Sequence, residues 1–241
     1  MRLISLILLA VTATWPVVGQ SSPATKFDSY NYLVTGDDEA ARLEAFVEAL
    51  RTNPSVIGYL IGYNATTTPP GVLRRRLYGD KRYLIEARGV EPNRLVLIEG
   101  GYRGKVTTEI WLAPKGSPAP TPSPTRTSPS TNGKQYLFDE ACVECEAPVN
   151  LDLNVFTDGL KFYAAELQRM SHATGLIVIT QGARSRTRAA LAQARRAKRI
   201  LAREYNIAPN RIHIQVGHRR KDNLVFANMW IVPRRSSYAD A

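Results

Sequence analysis

Residues 81–103, KRYLIEARGVEPNRLVLIEGGYR, and residues 198–220, KRILAREYNIAPNRIHIQVGHRR, are two versions of one unit set 117 positions apart. The same offset holds without a gap from Gly58 to Gly104. Nine positions in that window are identical, among them Lys81/Lys198, Leu84/Leu201, Pro92/Pro209, Asn93/Asn210, Arg94/Arg211 and Gly100/Gly217. After a two-residue insertion, EIWLAP and NMWIVP align as well, pairing Trp111 with Trp230 and Pro114 with Pro233. Copies of roughly 90–100 residues are a tandem pair of small domains and not a solenoid of short repeats.

Each copy alternates periods. In copy 1 (residues 27–113), FDSYNYLV from Phe27 suits a strand, and Asp37 or Asp38 can cap a helix carrying Ala40, Leu43, Phe46, Val47 and Leu50 inward. Residues 56–63, VIGYLIGY, read as a buried strand. A second helix is expected over 72–87, with Gly89 at its C-cap, and strands over 95–99 and 106–112. Copy 2 (residues 136–235) is expected to repeat this order, with strands at 149–155 and 175–180 flanking a helix from Asp158 to Met170. The fold class is α+β, each copy running β-α-β-α-β-β. Between them, PKGSPAPTPSPTRTSPSTNGKQ (114–135) is rich in Pro, Ser and Thr and is expected to be an extended spacer that lets the copies move independently.

Residues 1–19 have a basic start, an apolar run from Leu3 to Val11 and the small-residue site Val17-Val18-Gly19. This is the pattern of a secretory signal peptide, with cleavage expected after Gly19. No other stretch approaches the ~20 apolar residues of a membrane helix. Cys142 and Cys145, in DEACVECEAP, are the only cysteines. A structural disulfide, a redox pair and half of a metal site are the three readings. In an exported protein the disulfide is favoured, because acidic neighbours and Pro148 oppose a thiolate-stabilising helix start. His172, His213 and His218 show no zinc spacing, so neither metal nor cofactor is expected.

The net charge is +11, and it is unevenly placed. Residues 27–113 hold 11 basic and 11 acidic residues, whereas 136–235 hold 16 basic against 9 acidic. From Arg184 to Arg203 there are eight basic residues and no acid, and Arg188, Arg195, Arg199 and Arg203 recur on one face. A solvated helix face is the plain reading. Eight like charges without acidic partners nevertheless repel, and an anionic ligand would relieve that cost. For an exported protein an envelope polymer or membrane surface is the expected counterpart, and nucleic acid is not.

Catalytic constellations are missing. Ser171-His172 falls in a turn, Gly100-Gly101 opens no helix and carries no Lys-Ser/Thr, and no pair of carboxylates stands out. Tyr63, Tyr83 and Tyr102 suit packing better than a carbohydrate platform. The chain is read as a non-enzyme.

The element order, together with Gly62-Tyr63, Arg76 spaced to Tyr83-Leu84, Gly89-Val90, Arg94-Leu95 and Gly101-Tyr102, resembles the OmpA-like domain, the peptidoglycan-binding C-terminal domain of outer-membrane protein A. Copy 2 offers Ile200-Leu201, Ile207, Arg211-Ile212 and Gly217. The resemblance implies helices packed on a mixed sheet. It also implies a binding site in which an Asp and an Arg grip the diaminopimelate of the peptide stem. Ala65 and Gly182 stand at the acidic position. Arg76 keeps the basic one in copy 1 and Gln193 replaces it in copy 2. The resemblance therefore implies contact with peptidoglycan or another anionic envelope polymer through arginines, with Arg76, Arg184, Arg188, Arg195 and Arg196 as candidates. A scaffold that binds envelope proteins is the alternative.

Overall fold

The computed structural model describes residues 23–32, 35–129, 133–144, 155–183, 187–222 and 224–233. The expected leader (1–19), Arg184 and Cys145 lie outside them, and so does the expected disulfide. Copy 1 runs β1 (Thr25–Asn31), α1 (Gly36–Thr52), β2 (Val56–Ala65), α2 (Pro70–Arg82), β3 (Leu95–Arg103) and β4 (Thr107–Pro114). Copy 2 runs β5 (Tyr136–Glu144), α3 (Val155–Arg169), β6 (Thr174–Gln181), α4 (Thr187–Arg203), β7 (Ile212–Arg219) and β8 (Val225–Val232). The protein is α+β, with two four-stranded mixed sheets ordered β1-β4-β2-β3 and β5-β8-β6-β7. The β2–β3 and β6–β7 pairs are parallel and the others antiparallel. No helix among the described residues is long and apolar enough to cross a membrane.

The first strand of copy 2 differs from its sequence-based placement. It is Tyr136–Glu144, not 149–155; Val155 opens α3, and residues 149–154 lie outside the description. The true counterpart of Phe27-Asp28 is Phe138-Asp139, since each follows a register shift and each Asp pairs with an equivalent β4 or β8 residue, Ile110 or Met229. A second register shift, between Cys142 and Glu144, has no counterpart in β1, and two shifts in nine residues leave little period-two alternation to read. Helix α1 is also capped two or three residues earlier than expected, at Thr35. The Thr35 side chain accepts from Asp38 N–H at 3.2 Å, with Asp37, Asp38 and Glu39 in the first turn.

The shared residues are scaffold. Arg94 donates to the carbonyls of Leu50, Asn53 and Val56 at 2.8–3.2 Å, tying the end of α1 to the start of β2. Arg211 makes the equivalent clamp on Leu167, Met170 and Ala173 at 2.7–2.9 Å. These carbonyls are the orphans that a helix end leaves unpaired. Lys81 and Lys198 reach the Leu95 and Ile212 carbonyls at 3.0 and 2.8 Å. Gly89 and Asn206, again 117 apart, both take positive φ, Gly89 just past the π-helical turn Tyr83–Ala87 that continues α2 and Asn206 just past α4. Glycine and asparagine are the residues that enter this region at least cost.

Each sheet buries one face under its two helices, giving separate cores around Phe46, Leu60 and Leu84 and around Tyr163, Ile177 and Leu201. The opposite face of the first sheet is covered too, and by the segment expected to be a free spacer. Ser123 N–H donates to Tyr63 Oη at 3.1 Å, and Arg103 donates to Ser123 O and Oγ at 2.8–3.2 Å. The N–H groups of Thr125 and Arg126 both reach Tyr102 O at 3.0 Å, and Pro124 lies on Gly101. Under this strap Ile61 and Tyr63 are fully buried and Tyr59 nearly so. Glu109 sits there as well. Burial alone would raise its pKa, yet Lys26, Arg103 and Trp111, at 2.6–3.0 Å, hold it down at about 2. Proline-rich chain is already extended, so laying it on a sheet costs little further entropy.

The strap makes a measurable prediction. Trypsin cleaves the native protein slowly after Arg126, because that backbone is hydrogen-bonded, whereas Arg103→Ala releases Ser123 and speeds this cut about tenfold or more. Mass spectrometry of timed digests reads the difference, and equal rates would show the segment to be free.

Candidate anionic-ligand interface

Helices α2 and α4 occupy equivalent places in the two copies, and both are rich in arginine. Their surroundings are opposite. Every arginine of α2 meets a carboxylate. Arg74 pairs with Glu99 at 2.8 Å and with Glu166 at 3.4 Å. Arg75 sends Nε and Nη2 to the two oxygens of Asp139 at 3.2 and 3.1 Å, and Nη2 also reaches Glu140 O at 3.2 Å. Arg82 pairs with Asp158 at 2.9 Å. Three of these four acids, Asp139, Asp158 and Glu166, belong to copy 2, so α2 is the joint between the copies.

That joint is close. A Cβ placed on Gly71 of α2 would come within 2.7 Å of Asp139 Cβ and 2.8 Å of Phe138 Cε1. One placed on Gly159 of α3 would come within 3.0 Å of Asp139 Oδ2. Two missing side chains therefore let the helices approach, and between them Asp139 is fully buried. Beside it Tyr78 of α2 meets Phe162 of α3 edge-on, centroids 5.6 Å apart, with Lys161 Nζ 4.2 Å from the Tyr78 centroid.

Arg76, the copy 1 candidate, is likewise engaged. Its Nη2 and Nε donate to Glu39 Oε1 at 2.6 and 2.9 Å, and its guanidinium lies over Tyr32, 4.9 Å from the centroid. It stands on α2 and not on α4, and its fork already holds a carboxylate. Behind it lies Asp80, which accepts from Tyr30 Oη at 3.4 Å. Burial, followed by the nearby Glu39 charge, raises the Asp80 pKa to about 8, with Arg76 and Tyr30 opposing. Burial likewise pushes the Tyr30 phenol up.

Helix α4 is different. Arg188, Arg195, Arg196, Arg199 and Arg203 are exposed, and among the described residues none of them pairs with a carboxylate. At ~100° per residue the five fall within an arc of about 100°, opposite the fully buried Ala194, Ala197 and Leu201. From Arg188 to Arg203 the stripe is roughly 22 Å long. Of the five sequence candidates, α4 carries Arg188, Arg195 and Arg196, joined by Arg199 and Arg203, whereas Arg76 stands on α2 and Arg184 lies outside the described residues. Sequence reasoning missed the acidic face of Asp139, Asp158 and Glu166. Its one signal is that copy 1 carries a run of three arginines on α2 while being neutral overall.

Two predictions follow from these contacts. Arg75→Ala strands a buried carboxylate and lowers stability by about 3–5 kcal/mol, whereas Arg75→Leu with Asp139→Leu recovers most of the loss. Urea denaturation of the three proteins tests this, and an equal loss in the double variant would refute it. For Asp80, the unfolded carboxyl ionises near 3.8 and the folded one near about 8, so between those values the folded state holds the extra proton. Stability from this group is full below 3.8, declines as pH rises and is lost through about 8. The Tm of the native protein relative to Asp80→Asn should therefore fall by several degrees from pH 5 to pH 9. Parallel melting profiles would disprove it.

The chain matches no family model and no curated protein sequence.

Proposed function

We propose that this chain is a non-enzymatic, exported cell-envelope protein built from two OmpA-like copies, and that it contacts peptidoglycan or another anionic envelope polymer through α4. The observation that carries the reading is the contrast between the equivalent helices. The α2 guanidiniums are each matched to a carboxylate of the same chain, while the α4 guanidiniums are exposed and, among the described residues, matched to none. Five like charges within one arc repel one another, and an anion laid along them removes that cost. The signal-like start, the internal repeat and the OmpA resemblance support the envelope setting.

The joint sharpens the division of labour. Copy 1 contributes its basic helix to holding copy 2, so the copy with the larger basic excess keeps its own basic helix outward. Arginine suits this role, since its planar fork takes two oxygens of one carboxylate or phosphate at once.

Purified sacculi provide the test. The protein should co-sediment with them at low salt, and the triple variant Arg188→Ala, Arg195→Ala, Arg196→Ala should lose at least tenfold in retained fraction. Equal retention of both proteins, or retention of neither, would overturn the proposal.

A further inference from the structure

Resting on that reading, we infer that α4 binds a linear phosphate polymer, in extended form and by charge density, and not a zwitterionic peptide, a protein face or a bilayer. Four observations exclude the other occupants. The first concerns the ligand's own charge. From Thr187 to Arg203 the helix has no acidic residue, so a ligand that brought an ammonium group would set it against guanidiniums with nothing to receive it.

The second concerns protein partners, because the chain contains its own example of what a helix in this position needs to dock one. On α2 the close approach depends on Gly71 and the aromatic anchor is Tyr78. At the equivalent positions, 117 residues on, α4 carries Arg188 and Arg195. Protein interfaces draw most of their affinity from packed, desolvated anchors, and the α4 stripe offers only long cationic side chains.

The third concerns membranes. An interfacial helix must lay an apolar face into the lipid. Ala194, Ala197 and Leu201 of α4 are fully buried against the core of copy 2 and cannot do so. The fourth concerns shape. Among the described residues, cavities of about 350 Å³ lie beside Trp111 and between Tyr32 and Phe226, and neither of these is lined by an α4 residue. What remains is a stripe roughly 22 Å long, with Arg195, Arg199 and Arg203 at steps of about 5–6 Å. A chain of regularly spaced phosphates matches that geometry, and bidentate guanidinium–phosphate pairs supply the contacts.

The probe is long-chain inorganic polyphosphate, titrated into the full protein and followed by fluorescence anisotropy. Binding should weaken roughly a hundredfold between 50 and 200 mM salt, as release of counterions from about five contacts requires. Arg195→Ala with Arg199→Ala and Arg203→Ala should cost at least tenfold. Lysine at the same three positions should bind a few-fold more weakly than arginine and clearly more tightly than alanine, since it restores the charge and not the planar fork. Circular dichroism checks that the outward-facing substitutions leave the fold intact. Absence of polyphosphate binding, or binding untouched by the alanine variant, overturns the inference. Equal arginine-dependent affinity for phosphatidylglycerol vesicles overturns it in favour of a membrane. If polyphosphate fails while sacculi still retain the protein, the envelope reading stands alone, and if both fail, both fall.

Discussion

The ion pair between Arg75 and Asp139 is the constraint on which the arrangement of this protein depends. Asp139 is fully buried, and a buried carboxylate without its counter-ion is among the most costly states a folded chain can hold. Only one placement of α2 against β5 and α3 supplies the guanidinium, and only the absence of side chains at Gly71 and Gly159 lets α2 reach it. Arg74 with Glu166, Arg82 with Asp158 and Tyr78 with Phe162 then fall into register around it. Two domains that share a scaffold are thereby joined by a surface they do not share.

The joint is heterologous, helix face to strand-and-helix face, a geometry that can in principle extend from chain to chain. The repeat shows why the ends here differ from the middle. The position of Gly71 is held by Arg188 in copy 2, and the position of Gly159 by Arg42 in copy 1. Arg42 is itself committed to Asp28 at 2.7 Å. Neither outer face has the missing side chains that the joint needs, and each presents a cation where close approach would occur. The exposed arginines of α4 are consequently a surface of a different kind from α2, although the two helices stand at equivalent places in the repeat.

The proline-rich segment and the acid beneath it extend the same logic. Glu109 is held by Lys26, Arg103 and Trp111, and Arg103 in turn holds Ser123 of the strap. In copy 2 the equivalent residue is Asn228, and Arg220, the counterpart of Arg103, pairs instead with Asp222 at 2.8 Å. No strap crosses that face among the described residues, and Leu176, Val178 and Trp230 stay half-buried there. One face of each sheet follows the repeat closely, while the other has diverged.

By itself, the sequence determined what is local or repeated. The β-α-β-α-β-β order, the helix periods of α1 and α4, the turn at Pro-Asn-Arg and the outward row of arginines are all legible, because each rests on spacing along one element. The first strand of copy 2 was not, because shifts at both Leu137/Asp139 and Cys142/Glu144, where β1 has one, leave little of the alternation that pattern reading needs. Only the tertiary structure decided which arginines are spent and which are free. Arg75 and Arg195 look alike in the chain, but pairing depends on what lies across a joint 64 residues away, and Coulomb attraction follows distance in space and not position in sequence. The same is true of the strap: composition marked it as extended chain, and the sheet face beneath it determined that it lies down.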